Sequence, residues 1–393
     1  YDYDDTKDGA YKRDSFYFEL AKFNFKSLDR FTSADVAFKG SLVSADIFPE
    51  FEETIVIQED DASLGFTTQT DGDGFPTYLG KGTYNGKLNL SNKGLLGVGN
   101  LQYLNASIDA EDFVFMPKQM LASAEAFHTD EERSADPNIP QVDGNDVTIN
   151  WLPYNDSMYV NTTADPFAFY KEPGYSLDGT LVLTPDGVRG KGAFEWEQGL
   201  MNSKLFSYGA FTVKSDTTSI KIKALEGNNF AFDSKNVNAD VNFDEQIGRF
   251  KANADTVMTR LPYNQYETTM NEFDWDMKEQ TITFISDEPG SFISTHPNQD
   301  SLNFEGANAF YDLKTSQLSV SGVPFIETAD AYVYPKEEKI DIEANAVITT
   351  LKDAIIVANT VNKNHVINRA TVDIKGQREY SASGYYEYNV AGK

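Results

Sequence analysis

Along most of this chain apolar and polar residues alternate one for one, the period of a strand with one face buried and the other in water. In NVNADVNFDEQIGRFKANA (236–254), Val237, Ala239, Val241 and Phe243 fall on one face, and Asn238, Asp240, Asn242 and Asp244 on the other. A polar turn follows, then a second alternating run. The same strand, turn, strand unit recurs in GANAFYDLKTSQLSVSG (306–322), ADAYVYPKEEKIDIEANA (329–346) and NRATVDIKGQREYSASG (368–384). Each reads as a β-hairpin that cannot bury its apolar face alone, so successive hairpins must stack. Small Ala and Gly positions point to close packing between layers.

Two repeats are sharper. GKLNLSNKGLLGVGNLQY (86–103) matches GTLVLTPDGVRGKGAFEW (179–196) without a gap, at an offset of 93 residues. Leu88/Leu90 and Leu181/Leu183 mark the buried face of a strand, and Gly94 and Gly187 stand where a tight turn needs a positive φ. The tetrapeptide LPYN occurs at 152–155 and again at 261–264, an offset of 109 residues, so it belongs to a different register. Proline denies a ladder one donor and extends the residue before it. Both copies therefore read as one way of leaving a strand, with a Tyr-Asn pair presented to a ligand as the functional alternative.

The pattern predicts an all-β fold of tandem hairpins stacked into an elongated, repeat-like body, either a solenoid or several sandwiches. Its expected divisions are an N-terminal β segment (1–78), a first β unit (79–169), a second (170–290) and a C-terminal hairpin array (291–393). The polar, proline-containing stretch AFHTDEERSADPNIPQVDGND (126–146) reads as a surface loop. MPKQMLASAEA (116–126) is compatible with a short helix, as is the region 346–351.

Composition narrows the function classes. The formal charge is −28, from 61 acidic and 33 basic residues. Such a field repels phosphate backbones and anionic lipid, so neither nucleic-acid binding nor direct membrane insertion is expected. An acidic surface of this kind chiefly keeps a protein soluble. The absence of cysteine removes disulfides, thiolate metal sites and cysteine nucleophiles together. The longest aliphatic run, at 354–358, is too short to cross a bilayer, and the opening YDYDDTKDGAYKRDS has neither the basic nor the apolar region of a signal peptide.

Candidate chemistry is sparse. His128, His296 and His365 lie in three separate contexts without metal-ligand spacing, so no metal site and no cofactor is expected. Ser294, Thr295, His296 and Asp300 crowd together, which fits a self-satisfied turn better than a catalytic set. Glu195/Glu197 and Asp274/Asp276 alternate with aromatics, as glycosidase acids beside a sugar-stacking tryptophan would, but also as any amphipathic strand does. TDGDG (70–74) begins like a calcium loop, and QEDD (58–61) is an anionic run; counting from Asp71, the acid needed at the twelfth position is Gly82, which leaves a glycine-rich turn. The glycines at 94, 97 and 99, and at 187, 190 and 192, stand in the reverse order of a dinucleotide fingerprint and have no helix after them. No catalytic residues emerge.

Several segments, among them FKGSLVSADIFP, SLGFTTQTDGDGFPTYLGKG, KNVNADVNFDEQIGRFKANA, FISTHPNQDSLNF and TLKDAIIVANTVNKNH, together resemble the middle region of very large, uncharacterised secreted or envelope-associated proteins of Bacteroidota. The resemblance spans most of the chain. It implies a fragment of a longer β-rich polypeptide at the cell envelope or surface, whose partners there are proteins or glycans. Asp-[Ser/Thr]-apolar tripeptides around Ser157, Thr256 and Ser301 are similar to O-glycosylation sites of exported proteins in that group.

The leading expectation is a non-enzymatic scaffolding module. A glycan-binding or glycan-processing β-protein would instead expose Trp151, Trp196 and Trp275 beside Tyr154 or the paired acids. An envelope lipid-transport protein would enclose a continuous apolar groove.

Overall fold

The computed structural model describes residues 6–23, 36–58, 63–171, 173–225 and 229–387. The protein is all-β, as the alternation predicts: strands joined by turns, with helical backbone among the described residues confined to 3₁₀ turns of three or four residues. Contacts divide the chain into two compact units, 1–192 with 207–210, and 193–206 with 211–393.

The first unit is largely a meander. Phe16–Leu20, Ala37–Ser44, Phe51–Ile57 and Leu64–Gln69 pair in order, and Leu64–Gln69 passes the ladder to Gly82–Ser91. Gly82–Ser91 then pairs with Gly94–Tyr103, which pairs with Ala106–Met116, and Gln119–Thr129 and Val142–Leu152 follow. Both halves of the 93-residue repeat are hairpin turns as expected, with Gly94 at φ 103° and Gly187 at φ 109°. A second glycine pair lies deeper in each copy. Gly86 and Gly99 are cross-strand partners, and a Cβ on Gly99 would stand 2.4 Å from the Asn85 carbonyl oxygen. A Cβ on Gly192 would stand 2.1 Å from that of Asp178. The repeat therefore encodes a place where two backbones approach too closely for any side chain.

The second unit is built differently. Phe230–Asn242 serves two ladders at once: its later half pairs with Ile247–Ala252, and Asp233 near its start pairs with Arg260. The chain then alternates between them. Ile247–Ala252 is followed in the first ladder by Glu272–Asp276, Thr281–Ile285, Asn308–Asp312, Gln317–Ser321 and Lys339–Ile342. The second runs through Thr259–Leu261, Tyr266–Thr268, Gly290–Ser294, Asn303–Gly306, Ile326–Thr328, Ala331–Tyr334 and Leu351–Ala358. It ends on the hairpin His365–Gly376 and Glu379–Tyr386.

Alternate side chains of both ladders point inward and are buried. Phe232 on the second ladder's side meets Phe273 of the first with ring centroids 4.5 Å apart. Each such ring contributes on the order of 1.5–3 kcal/mol by leaving water. The interior is aromatic at its start, around Phe232, Phe273 and Trp275, and aliphatic further on, around Leu318, Val333, Ile340 and Ile356.

Several expectations change. Residues 329–346 are not one hairpin: Ala331–Tyr334 pairs with Ile326–Thr328 and Leu351–Ala358, whereas Lys339–Ile342 pairs with Gln317–Ser321. Pro335, at φ −71°, offers no ladder donor, and Glu337 and Glu338 at positive φ carry the chain across to the other ladder. The helix considered at 116–126 is instead a hairpin turn and the strand Gln119–Thr129, which pairs with Val142–Leu152 and buries Met120, Ala122 and Ala124 at every second position. Around 344–346 there is one 3₁₀ turn, and from Leu351 the chain is strand again. The loop expected over 126–146 shrinks, since Gln119–Thr129 and Val142–Leu152 reach into it from both sides. Of the anionic run at 58–61, positions 59–61 lie outside the described residues.

Candidate functional site

The three tryptophans are interior. Trp151 is 0% exposed and packs edge-on to Tyr78 at 5.1 Å. Trp196 and Trp275 are 3% and 1% exposed, with ring centroids 5.8 Å apart. None offers a ring face to a sugar, because each sits on the inward side of an alternating strand; of the four candidates only Tyr154 is exposed. The paired acids take the outward side. Glu195 Oε1 accepts from Lys223 Nζ at 2.6 Å, and Asp276 Oδ1 accepts from the Glu279 amide at 2.8 Å. They are ordinary outer-face carboxylates, Glu195 and Asp276 with partners on the same face or in the adjoining turn.

The histidines stay separate. His296 caps the 3₁₀ turn Pro297–Gln299, its Nδ1 accepting from the Asn298 amide at 3.1 Å, so this crowded stretch is a self-satisfied turn. His365 Nδ1 lies 3.0 Å from the Tyr386 hydroxyl. His128 lies between two carboxylates, with Nδ1 2.6 Å from Asp143 and Nε2 3.2 Å from Asp130. Partial burial lowers its pKa, but hydrogen bonds and attraction from Asp143 and Asp130 outweigh this and raise it overall. Among the described residues no group of three or more His, Asp or Glu is placed to hold a metal ion. TDGDG is a turn in which the Gly74 amide donates to the Asp71 carbonyl at 2.8 Å. Ser157, Thr256 and Ser301 all lie at turns or strand starts; Thr256 and Ser301 are exposed, and the half-buried Ser157 donates to the Asn155 carbonyl.

LPYN is a hairpin loop in both places. Leu152 pairs with Ser157 and Leu261 with Tyr266, so four residues close each turn. The last of the four takes left-handed backbone in each, Asp156 at φ 48° and Gln265 at φ 55°.

Several clefts among the described residues concentrate polar side chains, one of them around Glu19, Lys39, Glu50, Glu52 and Glu53, and two bear on the candidates above. One, of about 610 Å³, lies over the outer face of the first unit's bulged strands, bordered by Asp73, Asn85, Asn100, Asp109, Glu111 and Glu125. Its amides and acids partly satisfy each other, as where Asn100 Nδ2 donates to Asp109 Oδ1 at 2.8 Å. The other, of about 680 Å³, is wholly in the second unit and is lined by Phe230, Asp233, Pro262, Tyr263, Gln265 and Asn345 among others. Hydrogen bonds fix two of its walls together. The Asn345 amide donates to the Tyr263 carbonyl at 3.2 Å, the Ala346 amide to that of Asn264 at 2.9 Å, and Gln265 Nε2 to Asn345 Oδ1 at 3.2 Å. Asn264 turns inward and donates to the carbonyls of Ser316 and Ile342 at 2.9 and 3.1 Å. Of this cleft the repeated LPYN pointed to Tyr263; Asp233 and Asn345 carry no local signal.

Among the described residues no helix is long and apolar enough to cross a membrane. No family model, no curated protein and no solved structure matches the chain.

Proposed function

We propose that this chain is a non-enzymatic structural module of a larger polypeptide. The observation that carries the reading is the fate of its recurring motifs. Both LPYN copies close hairpins, both glycine pairs permit a close backbone approach, and the tryptophans fill interiors. The repeated features serve construction. The resemblance to large Bacteroidota proteins supports a setting at the cell envelope or surface, and the charge of −28 suits a body that stays soluble and discourages nucleic-acid partners. The test is to incubate the purified chain with mixed polysaccharides and peptides while following amide hydrogen exchange. Protected ladder amides without turnover are expected; turnover at ordinary enzymatic rates would sink the reading.

A second reading, a slot for acyl chains, is favoured by the aliphatic interior of the second unit. Ala370, Val372 and Ile374 are buried, whereas Ala382, the cross-strand partner of Val372, is exposed on the last strand. Lipid extracted with the purified protein and identified by mass spectrometry would move the conclusion there.

A further inference from the structure

We infer that the cleft around Tyr263 binds a neutral saccharide. It brings together three kinds of group that a sugar uses at once. Tyr263 is 40% exposed and lies beside Phe230, so the wall includes aromatic surface on which the CH-bearing face of a pyranose can rest. Gln265, Asn345 and Asn229 contribute carboxamides, which donate and accept as sugar hydroxyls do.

The third is Asp233. Its Oδ1 is shielded from solvent and has no hydrogen-bond partner, although Lys221 and Arg260 stand opposite it on the neighbouring strands. Lys221 places its ammonium over the Phe230 ring at 4.9 Å, and Arg260 is held by Glu267 at 2.9 Å. A shielded carboxylate oxygen without a donor is costly, and since Asp233 lines the cleft, a rotation of its side chain that brings this oxygen to a sugar hydroxyl removes the cost. The volume is within the range of small-ligand sites.

The occupant is neutral because the chain's acidic field and Asp233 itself repel uronic, sialic or phosphorylated sugars. The backbone bonds between the turn at 262–265 and the segment 344–346 set the cleft's width before any ligand arrives. Beyond the rotation of Asp233, binding therefore requires little reorganisation.

The test is saturation-transfer NMR on the intact chain with three probes: a gluco-, a manno- and a galacto-oligosaccharide, all uncharged. Saturation should reach the ring protons of at least one probe. Tyr263→Ala and the isosteric Asp233→Asn should each weaken that binding by about tenfold or more. Tyr154→Ala, in the same turn of the first unit, should leave it unchanged. The proposal is overturned if no probe receives saturation, if Tyr263→Ala and Asp233→Asn bind as the unaltered chain does, if Tyr154→Ala weakens binding equally, or if calcium chloride alone occupies the cleft in an Asp233-dependent way while the sugars do not. Loss of this site leaves the structural reading standing, because turnover is not what it measures.

Discussion

LPYN leads a strand into a four-residue hairpin turn in each unit, yet the two copies turn opposite sides inward. In the first unit Pro153 is buried while Tyr154 and Asn155 are exposed; in the second Pro262 and Tyr263 are exposed and Asn264 is 0% exposed. The backbone solution is shared, down to the left-handed residue just after each copy, Asp156 and Gln265. What differs is the surrounding chain. Asn264 faces the carbonyls of Ser316 and Ile342, which need donors, whereas Asp156, just past the first copy, forms an ion pair with Lys81. A short motif thus specifies a turn and leaves the use of its side chains to the neighbours that tertiary structure supplies.

The duplicated glycines set the upper end of a scale on which to test this. Gly99→Ala and Gly192→Ala should each cost about 3 kcal/mol or more, since both combine positive φ with a backbone collision. Urea unfolding that shows only one of the two to be severe would mean that these copies, too, have diverged in role. Next comes Asn264→Ala, expected to cost about 2–4 kcal/mol because two carbonyls lose their donor. Asn155→Ala should stay within about 0.5 kcal/mol. Equal losses at the two asparagines would break the comparison. Replacing the prolines reverses the order: Pro153→Ala should cost about 1 kcal/mol and Pro262→Ala a few tenths, measured in the same way.

The smallest effect concerns one charged cross-strand pair on the strand that enters each turn. At the far end of the strand that leads into the first turn, His128 of the neighbouring strand faces Asp143; next to the second turn, Arg260 faces Glu267. Only the former includes an imidazole. With its folded pKa raised, His128 contributes stability that is fully present below the ordinary imidazole value and lost as pH rises through the raised one. At 38% side-chain exposure this amounts to less than about 1 kcal/mol. An NMR titration placing the imidazole at or below about 6.5 would remove it.

Legibility in the sequence followed the range of the interaction. Alternation at 237–243 and the turn glycines at 94 and 187 act between near neighbours, and those hairpins were readable. Residues 329–346 look like the same unit, but Pro335 sends the second strand to a partner upstream, a choice that depends on which ladder has an open edge. Helix-forming letters at 116–126 concealed a period of two because Leu121, apolar like its neighbours, faces outward at 37% exposure. The cleft was least legible. Asp233, Tyr263 and Asn345 meet through strand pairing and backbone bonds over more than a hundred positions, and no spacing rule joins them.

The alternation of the second unit between two ladders also constrains how such a chain can change length. A hairpin added to or removed from one ladder sends every later hairpin to the opposite side, exchanging the edges on which all of them must pair. A second insertion or deletion restores the order. Heritable variation in a chain folded this way should therefore arrive in even numbers of hairpins, with parity conserved where length is not.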